Sequence, residues 1–390
     1  MGAGGQGVRS AGRLIALGKS RARRLWLRAQ RLDQPAPFGA GPEATRAAVE
    51  HLGYVQIDTI NVVERCHHQI LYTRIPAYQR EDLRRAQSVD KTVFEYWTHA
   101  LAYVPTRDLR FYVRDMYRYR RWHHPWFGAV KPAEVRRVLE RIRKNGALTI
   151  RDITDDVLVE KEHEWASRKP SKRALQLAFY RGLVTISERT GMLKTYELMT
   201  RHFGFQRLPA AASEREIGEY LLERALRSQA LVSVDSICYL DASRKPVVRR
   251  LIEERVRRKE LVALVLEGAP RVPLWARPQA LETPPDGAHA VHVLSPFDPL
   301  VVQRKRLKLF FDYEHRFEAY VPKEKRVFGY FTHPVLAGEE IVALLDLKTD
   351  RQRGKLLLQR WIWLTKRGRR ERKRQIEEAL QRFERFQLAR

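Results

Sequence analysis

Gln56 and Asp58 stand one residue apart in the run Gly53-Tyr54-Val55-Gln56-Ile57-Asp58-Thr59-Ile60-Asn61-Val62-Val63. Their spacing suggests shared chemistry. In an extended chain the side chains change face at every residue, so Val55, Ile57 and Thr59 fall on one side and Gln56 and Asp58 on the other. An amide and a carboxylate then point the same way, roughly 7 Å apart. The amide can hold a water by donating and accepting hydrogen bonds. The carboxylate can take that water's proton or face a developing positive charge. Hydrolysis through a cationic, sugar-like transition state needs such a pair. The same alternation also suits the solvated face of a half-buried strand, so the context of the pair decides.

That context is strongly basic. The 390 residues carry 74 Lys and Arg against 46 Asp and Glu, a net charge of +28 with a pI near 10.4. Such an excess over a whole chain is the electrostatic footprint of a polyanion binder, nucleic acid first and an anionic membrane surface second. No window approaches 18 apolar residues without charge, so no membrane span is expected. Cys66 and Cys238 stand alone, which excludes a zinc ribbon and suggests a reducing, cytoplasmic setting. His67-His68 and His123-His124 are adjacent pairs whose rings diverge, so we expect no metal, and no phosphate-binding or dinucleotide fingerprint implies a cofactor.

The surrounding elements read as an α+β chain, mainly helical. Residues 1–10 are Gly-rich and expected to be disordered. A basic helix is expected around Leu14 to Leu32, then a loop through Pro35–Pro42, a helix over Ala44–Leu52 capped by Gly53, and the strand with Gln56 and Asp58. Phe94-Glu95-Tyr96-Trp97-Thr98-His99 could wall a site or lie in the core. Residues 111–127 interleave aromatics with cations, among them Arg114, Arg118, Arg120 and Arg121, a texture that suits phosphates and unstacked bases.

Val135, Val138, Leu139 and Ile142 predict a helix ending at Asn145-Gly146. Leu148 to Ile153 predicts a second, and a third follows with Ser171 as its cap. Strands Leu183–Glu188 and Leu193–Leu198 flank the tip Arg189 to Met192. Ser213 and Glu216 form a capping box before another helix, and a helix from Pro246 leads into a strand over Leu261–Leu266. These repeats predict three tandem winged helix-turn-helix units: residues 11–128 with the catalytic strand and an aromatic, basic extension, 129–205 and 206–284. Residues 285–390 read as a small antiparallel β-barrel or sheet with strands at Arg316–Val321, Val327–Thr332, Glu340–Leu347 and Lys355–Trp363. A closing helix carries Ile376, Leu380 and Phe383.

With Gln56-Ile57-Asp58, Phe94-Glu95-Tyr96-Trp97, Leu294-Ser295-Pro296-Phe297-Asp298-Pro299 and Phe328-Gly329-Tyr330-Phe331 in order, the chain resembles the AlkZ/YcaQ family of bacterial DNA glycosylases from about residue 10 to 385. The resemblance implies tandem winged helices, a small β-barrel, and excision of alkylated purines including the ends of interstrand crosslinks. It also implies a catalytic motif of Gln, an apolar residue, then Gln or Asp; the Asp version here is closer to the YcaQ branch. By this account Gln56 positions water and Asp58 serves as base and cation stabiliser, with no Schiff-base lysine. Arg65, His67, His68, Glu95, Trp97 and His99 are candidate site-wall residues by nearness to the motifs. Arg114, Arg118, Arg120, Arg121, Lys172, Arg173 and Arg189 are candidate DNA-binding cations. The expected partner is duplex DNA bearing alkylated bases or crosslinks, bound by a monomer at the nucleoid. The competing reading is a winged-helix DNA-binding regulator without enzymatic activity; an RNA-binding role lacks any RNP-like signature.

Overall fold

The computed structural model describes residues 15–121, 125–154, 157–161, 167–282 and 290–389. The Gly-rich start, the His123-His124 pair and the unit boundary near residue 285 lie outside them. The described chain opens with β1 (Ile15–Leu17), α1 (Lys19–Ala29), α2 (Gly41–Leu52), β2 (Val55–Gln56), α3 (Cys66–Arg74), α4 (Arg80–Ser88), β3 (Val93–Trp97) and β4 (Leu101–Pro105). It continues with α5 (Arg110–Arg121), α6 (Pro132–Asn145), β5 (Leu148–Thr149), α7 (Pro170–Tyr180), β6 (Val184–Thr190), β7 (Leu193–Leu198) and α8 (Met199–Phe203). Then come α9 (Glu214–Gln229), α10 (Val234–Ile237), α11 (Lys245–Arg257), β8 (Val262–Leu266), β9 (Ala269–Ala276) and α12 (Pro278–Glu282). The last stretch holds β10 (Val291–Val293), α13 (Pro299–Val302), α14 (Arg304–Phe311), β11 (Thr332–Ala337), β12 (Glu340–Asp350), β13 (Lys355–Trp363) and α15 (Arg369–Leu388).

Three sheets are small, ordered β2-β4-β3, β5-β7-β6 and β1-β8-β9. The first two are antiparallel; in the third, β1 runs parallel to β8, Ile15 opposite Leu264. The fourth is the antiparallel sheet β10-β11-β12-β13. Its outer strands do not pair with each other, so among the described residues it is an open sheet and not a closed barrel. Four strands are too few to wrap a filled interior. The closing helix is present as α15, with Ile376 and Phe383 fully buried.

Several local expectations need correction. Leu17 belongs to β1, and the expected first helix starts only at Lys19. Leu148 to Ile153 forms β5 and a single 3-10 turn at Ile150–Asp152, stitched by Thr149 and Asp152. Ser171 lies inside α7; the cap position is Lys169, with Pro170 starting the helix. Arg316–Val321 and 327–331 are not strands. There the carboxylate of Glu318 takes the N–H groups of Val327, Phe328 and Gly329 at 2.9, 2.7 and 3.2 Å, and Asp346 takes those of Tyr330 and Phe331. Two acidic side chains thus replace a neighbouring strand as acceptors. Gly329 has φ +149° and its missing Cβ leaves room for the Asp346 carboxylate, so no other residue fits that turn.

The core explains how the candidate segment is supported. Val55 and Ile57 share one apolar cluster with Val335, Leu345, Ile376 and Phe383. The early strand is therefore backed by the late sheet and α15. A second cluster joins β3 and β4 to α6, α7 and β6, uniting Phe94 and Tyr96 with Leu139, Phe179 and Ile186. Among the described residues no helix is long and apolar enough to cross a membrane.

Candidate functional site

The strand under Gln56 is shorter than its pattern suggested. β2 holds Val55 opposite Tyr103 and Gln56 opposite Ala102, and Ile57 adds one more ladder bond by donating to Leu101 O at 2.8 Å. Beyond it the chain turns, because Asp58 Oδ1 accepts the N–H of Ile60 at 2.7 Å, a local bond typical of Asx turns. Thr59 is consequently exposed, not on the buried face with Val55 and Ile57. Gln56 is not solvated either: it is 6% exposed. Both faces of β2 are covered.

Gln56 is held from two sides. Cys66 Sγ donates to its carbonyl oxygen at 3.1 Å, and His99 Nε2 lies 3.0 Å from its Oε1. An amide oxygen only accepts, so this contact places the imidazole proton on Nε2. His99 is neutral: burial and the cation of Arg224 push its pKa down to about 4. With Oε1 occupied, the Gln56 NH2 has no hydrogen-bond partner among the described residues and is left to donate. His99 sits in the tight turn between β3 and β4, packed edge-on against Tyr54 and Tyr239, each 5.1 Å away.

The loop after Asp58 is clamped by the late sheet. Thr349 N donates to Val62 O at 2.8 Å and its hydroxyl to Val63 O at 3.3 Å. Arg351 reaches Asn61 Oδ1 and Val63 O, both at 2.8 Å. Those four bonds hold the segment on which the carboxylate is mounted.

Charge pairing then separates Asp58 from its acidic neighbours. Glu64 is bound by Arg80 at 2.5 Å, and Asp298 by Arg74 at 2.7 Å with both side chains fully buried. Glu95, 0% exposed, is gripped by Arg189 through two bonds of 2.5 and 2.6 Å and by Gln87 at 3.1 Å. Asp58 has no cationic partner among the described residues. Burial raises its pKa despite the N–H groups of Ile60 and Thr59. A partly desolvated, unpaired carboxylate is a stronger base than one neutralised by arginine.

The other expected residues divide. Trp97 is 38% exposed beside Tyr180. Arg65 precedes α3, near Gly191 at the β6–β7 tip. His67 is buried against Tyr103, and His68 Nδ1 pairs with the Tyr78 hydroxyl at 2.7 Å, so both rings pack within the fold. Both stay neutral, burial being the main cause. Glu95 is fully buried and neutralised by Arg189. Among the expected DNA-binding cations, Arg189 is 5% exposed in that ion pair and Arg173 is buried in α7. Neither offers its charge to a ligand from that position. Arg114, Arg118, Arg120, Arg121 and Lys172 are exposed. Of these, Arg114 pairs with Glu214 at 2.8 Å and Arg120 donates to Arg181 O at 2.8 Å.

Two neighbours of the site had no signal in the sequence. Arg224 of α9 lays its guanidinium 5.6 Å from the ring centres of Tyr54 and Tyr220. Its stem crosses Gly53, where any Cβ would collide with it and where φ is +80°. Gly53 was legible as a helix cap, but this close approach across 171 positions was not. A cavity of about 100 Å³ lies here, lined by Tyr54, His99, Tyr220, Arg224 and Tyr239. On the other side Tyr320 is 73% exposed, and burial and the Asp58 charge both raise its phenol pKa.

Comparison with known proteins gives a coherent result. A family model described as DNA glycosylase AlkZ-like matches residues 49–386. Among solved structures the chain is similar to the Streptomyces sahachiroi DNA glycosylase AlkZ, with 16% sequence identity and a TM-score of 0.63. The match covers 96% of this chain and 97% of that one.

Proposed function

Because the chain belongs to the AlkZ-like family of DNA glycosylases, we propose that it is a monofunctional enzyme hydrolysing the N-glycosidic bond of N7-alkylated guanine and related alkylpurines. Unhooking of interstrand crosslinks is part of this reading. The observation that carries it is the Asp58 carboxylate, free of any cationic partner among the described residues, two residues beyond an amide whose NH2 is free to hold water.

The chemistry follows from charge. An N7-alkylated purine is already cationic, so it can depart with the C1′–N9 electron pair as a neutral base and needs no general acid. As that bond lengthens, positive charge grows on the sugar, and the Asp58 carboxylate faces it. Water held by the Gln56 NH2 attacks C1′, passing its proton to Asp58. His99 keeps the amide oxygen occupied so that the NH2 end faces the water. A carboxylate already partly desolvated loses little further hydration when substrate covers it. The product is an intact strand with an abasic site, since no lysine is assigned as a nucleophile.

Bulky crosslinked adducts favour an open cleft with limited base extrusion over a closed base pocket. The three helical units, each with its small sheet, are read as winged-helix units at 11–128, 129–205 and 206–284, with 285–390 as the sheet domain behind the site. The exposed arginines of α5 and Lys172 are assigned to the phosphate backbone. We read the working form as a monomer on duplex DNA at the nucleoid.

The decisive experiment is single-turnover release of N7-methylguanine from alkylated duplex by the wild type, Asp58→Asn and Gln56→Ala. The proposal expects release by the wild type, and loss of most of that rate in Asp58→Asn with DNA binding retained. Wild-type protein that leaves both this adduct and a nitrogen-mustard crosslink intact would refute it.

A further inference from the structure

A second feature borders the site on its Tyr320 side. A cleft of about 640 Å³ opens between α14 and the loop 314–327, lined by Arg304, Lys305, Lys308, Arg316 and Lys325. Its two acids are already committed. Glu314 pairs with Lys308 at 2.7 Å, and Glu318 is spent on the three backbone N–H groups of 327–329. Arg304, Lys305, Arg316 and Lys325 form no ion pair among the described residues. Arg304 also begins α14, whose first turn has no side-chain cap, so unsatisfied backbone N–H groups add to the positive field.

The wall of this cleft contains a buried ring nitrogen with no partner among the described residues. His315 is 2% exposed, its Nδ1 lies 2.8 Å from the Tyr313 hydroxyl, and its Nε2 has no partner. Burial, then Arg304, push its pKa down to about 3, so the ring carries one proton. That single proton is shared between two arrangements: on Nε2 where the Tyr313 phenol donates to Nδ1, and on Nδ1 where the ring donates to the phenol oxygen.

We propose that this cleft seats a phosphodiester of the DNA backbone, with the cations of Arg304, Lys305 and Arg316 as its donors and the His315 ring buried in the wall behind them. The inference rests on the glycosylase reading and deepens it. The loop that walls the cleft carries Tyr320, exposed beside Asp58 and packed edge-on against Phe317 at 5.8 Å. On this proposal a strand whose sugar faces Asp58 would pass Tyr320 and reach the cleft along the same loop. The cleft opens to solvent, which lets a continuous polymer enter and leave.

The test is binding of the full chain to a short undamaged duplex over a range of salt, followed by fluorescence anisotropy. Undamaged DNA makes the result independent of base release. For the double variant Arg304→Gln with Arg316→Gln we expect about tenfold weaker binding at low salt. Its slope of log affinity against log salt should be shallower by about one to two, since each lost phosphate contact removes roughly 0.9. Because His315→Phe could disturb packing, the ring is also read directly: the His315 Nε2 resonance should shift when duplex is added, and less with inorganic phosphate at equal phosphate concentration. An unchanged slope and affinity, or a resonance indifferent to duplex, would overturn the proposal. A shift as large with inorganic phosphate would assign the cleft to free phosphate and overturn it equally. If the slope changes as expected but the wild type releases no base, the phosphate seat stands and the glycosylase reading falls.

Discussion

His99 Nε2 sits 3.0 Å from Gln56 Oε1, so the turn between β3 and β4 sets which end of the amide faces outward. Replacing His99 by Phe keeps a ring against Tyr54 and Tyr239 but removes the donor. We expect single-turnover base release to fall about ten- to a hundredfold, the scale at which misoriented groups cost rate. His99→Gln should recover part of the loss by restoring an N–H. A Phe variant as fast as wild type would show that the amide needs no such partner.

The carboxylate of Asp58 predicts a pH dependence. Its pKa is raised by burial, and the proposed mechanism uses the ionised form as the base, so base release should be lost as pH falls through a value above that of a free aspartate. The rate profile should show an acid limb there, absent in Asp58→Asn. The same shift has a stability consequence. An acid whose folded pKa is raised opposes folding when ionised, so that cost is present at neutral pH and disappears as pH falls through the raised value. Asp58→Asn should melt at or above the wild-type temperature at pH 7, and a clearly lower melting temperature would contradict this account.

Arg189 and Glu95 tie β6 to β3. Removing one partner of a buried pair leaves the other charge uncompensated, so Arg189→Met should cost about 3–5 kcal/mol in urea unfolding. Pairing it with Glu95→Gln should restore much of that. The salt slope of DNA binding should stay at the wild-type value in the double variant, because neither charge reaches solvent.

Arg74 and Asp298 form a second such pair, with Gln30 and the backbone of Ile70 and Leu300 filling the remaining bonds. Asp298→Ala should destabilise by about 3–5 kcal/mol. Single-turnover release, measured well below the melting temperature, should remain at the wild-type rate. A selective rate loss would give this aspartate a part in the chemistry.

What could be read in advance was local. Gln56-x-Asp58 was visible because its spacing is short. The capping box of Ser213 with Glu216 was visible too, and forms as expected at 2.8 and 3.2 Å. The hairpin β6–β7 announced its turn through Gly191. What escaped were pairings over long separations. Nothing near Arg189 indicates that its partner is Glu95, and nothing near Ile15 indicates a parallel strand at Leu264. The alternation at 316–321 and 327–331 was misleading because strand-like runs can be hooked by side-chain carboxylates instead of a neighbouring strand. α3 was missed since it is buried nearly all round and lacks a clear apolar stripe.

The clamp on the loop after Asp58 sets an order of events during synthesis. Gln56 and Asp58 leave the ribosome early, yet Asp298, Thr349, Arg351 and the α15 backbone that anchors Arg80 follow more than two hundred residues later. At about 5–20 residues per second that interval is tens of seconds. Until it ends, the growing chain holds the candidate pair without the parts that position it. A nascent polypeptide this basic drifts readily onto nucleic acid, but it arrives there unassembled, and only the nearly finished protein holds the candidate site together.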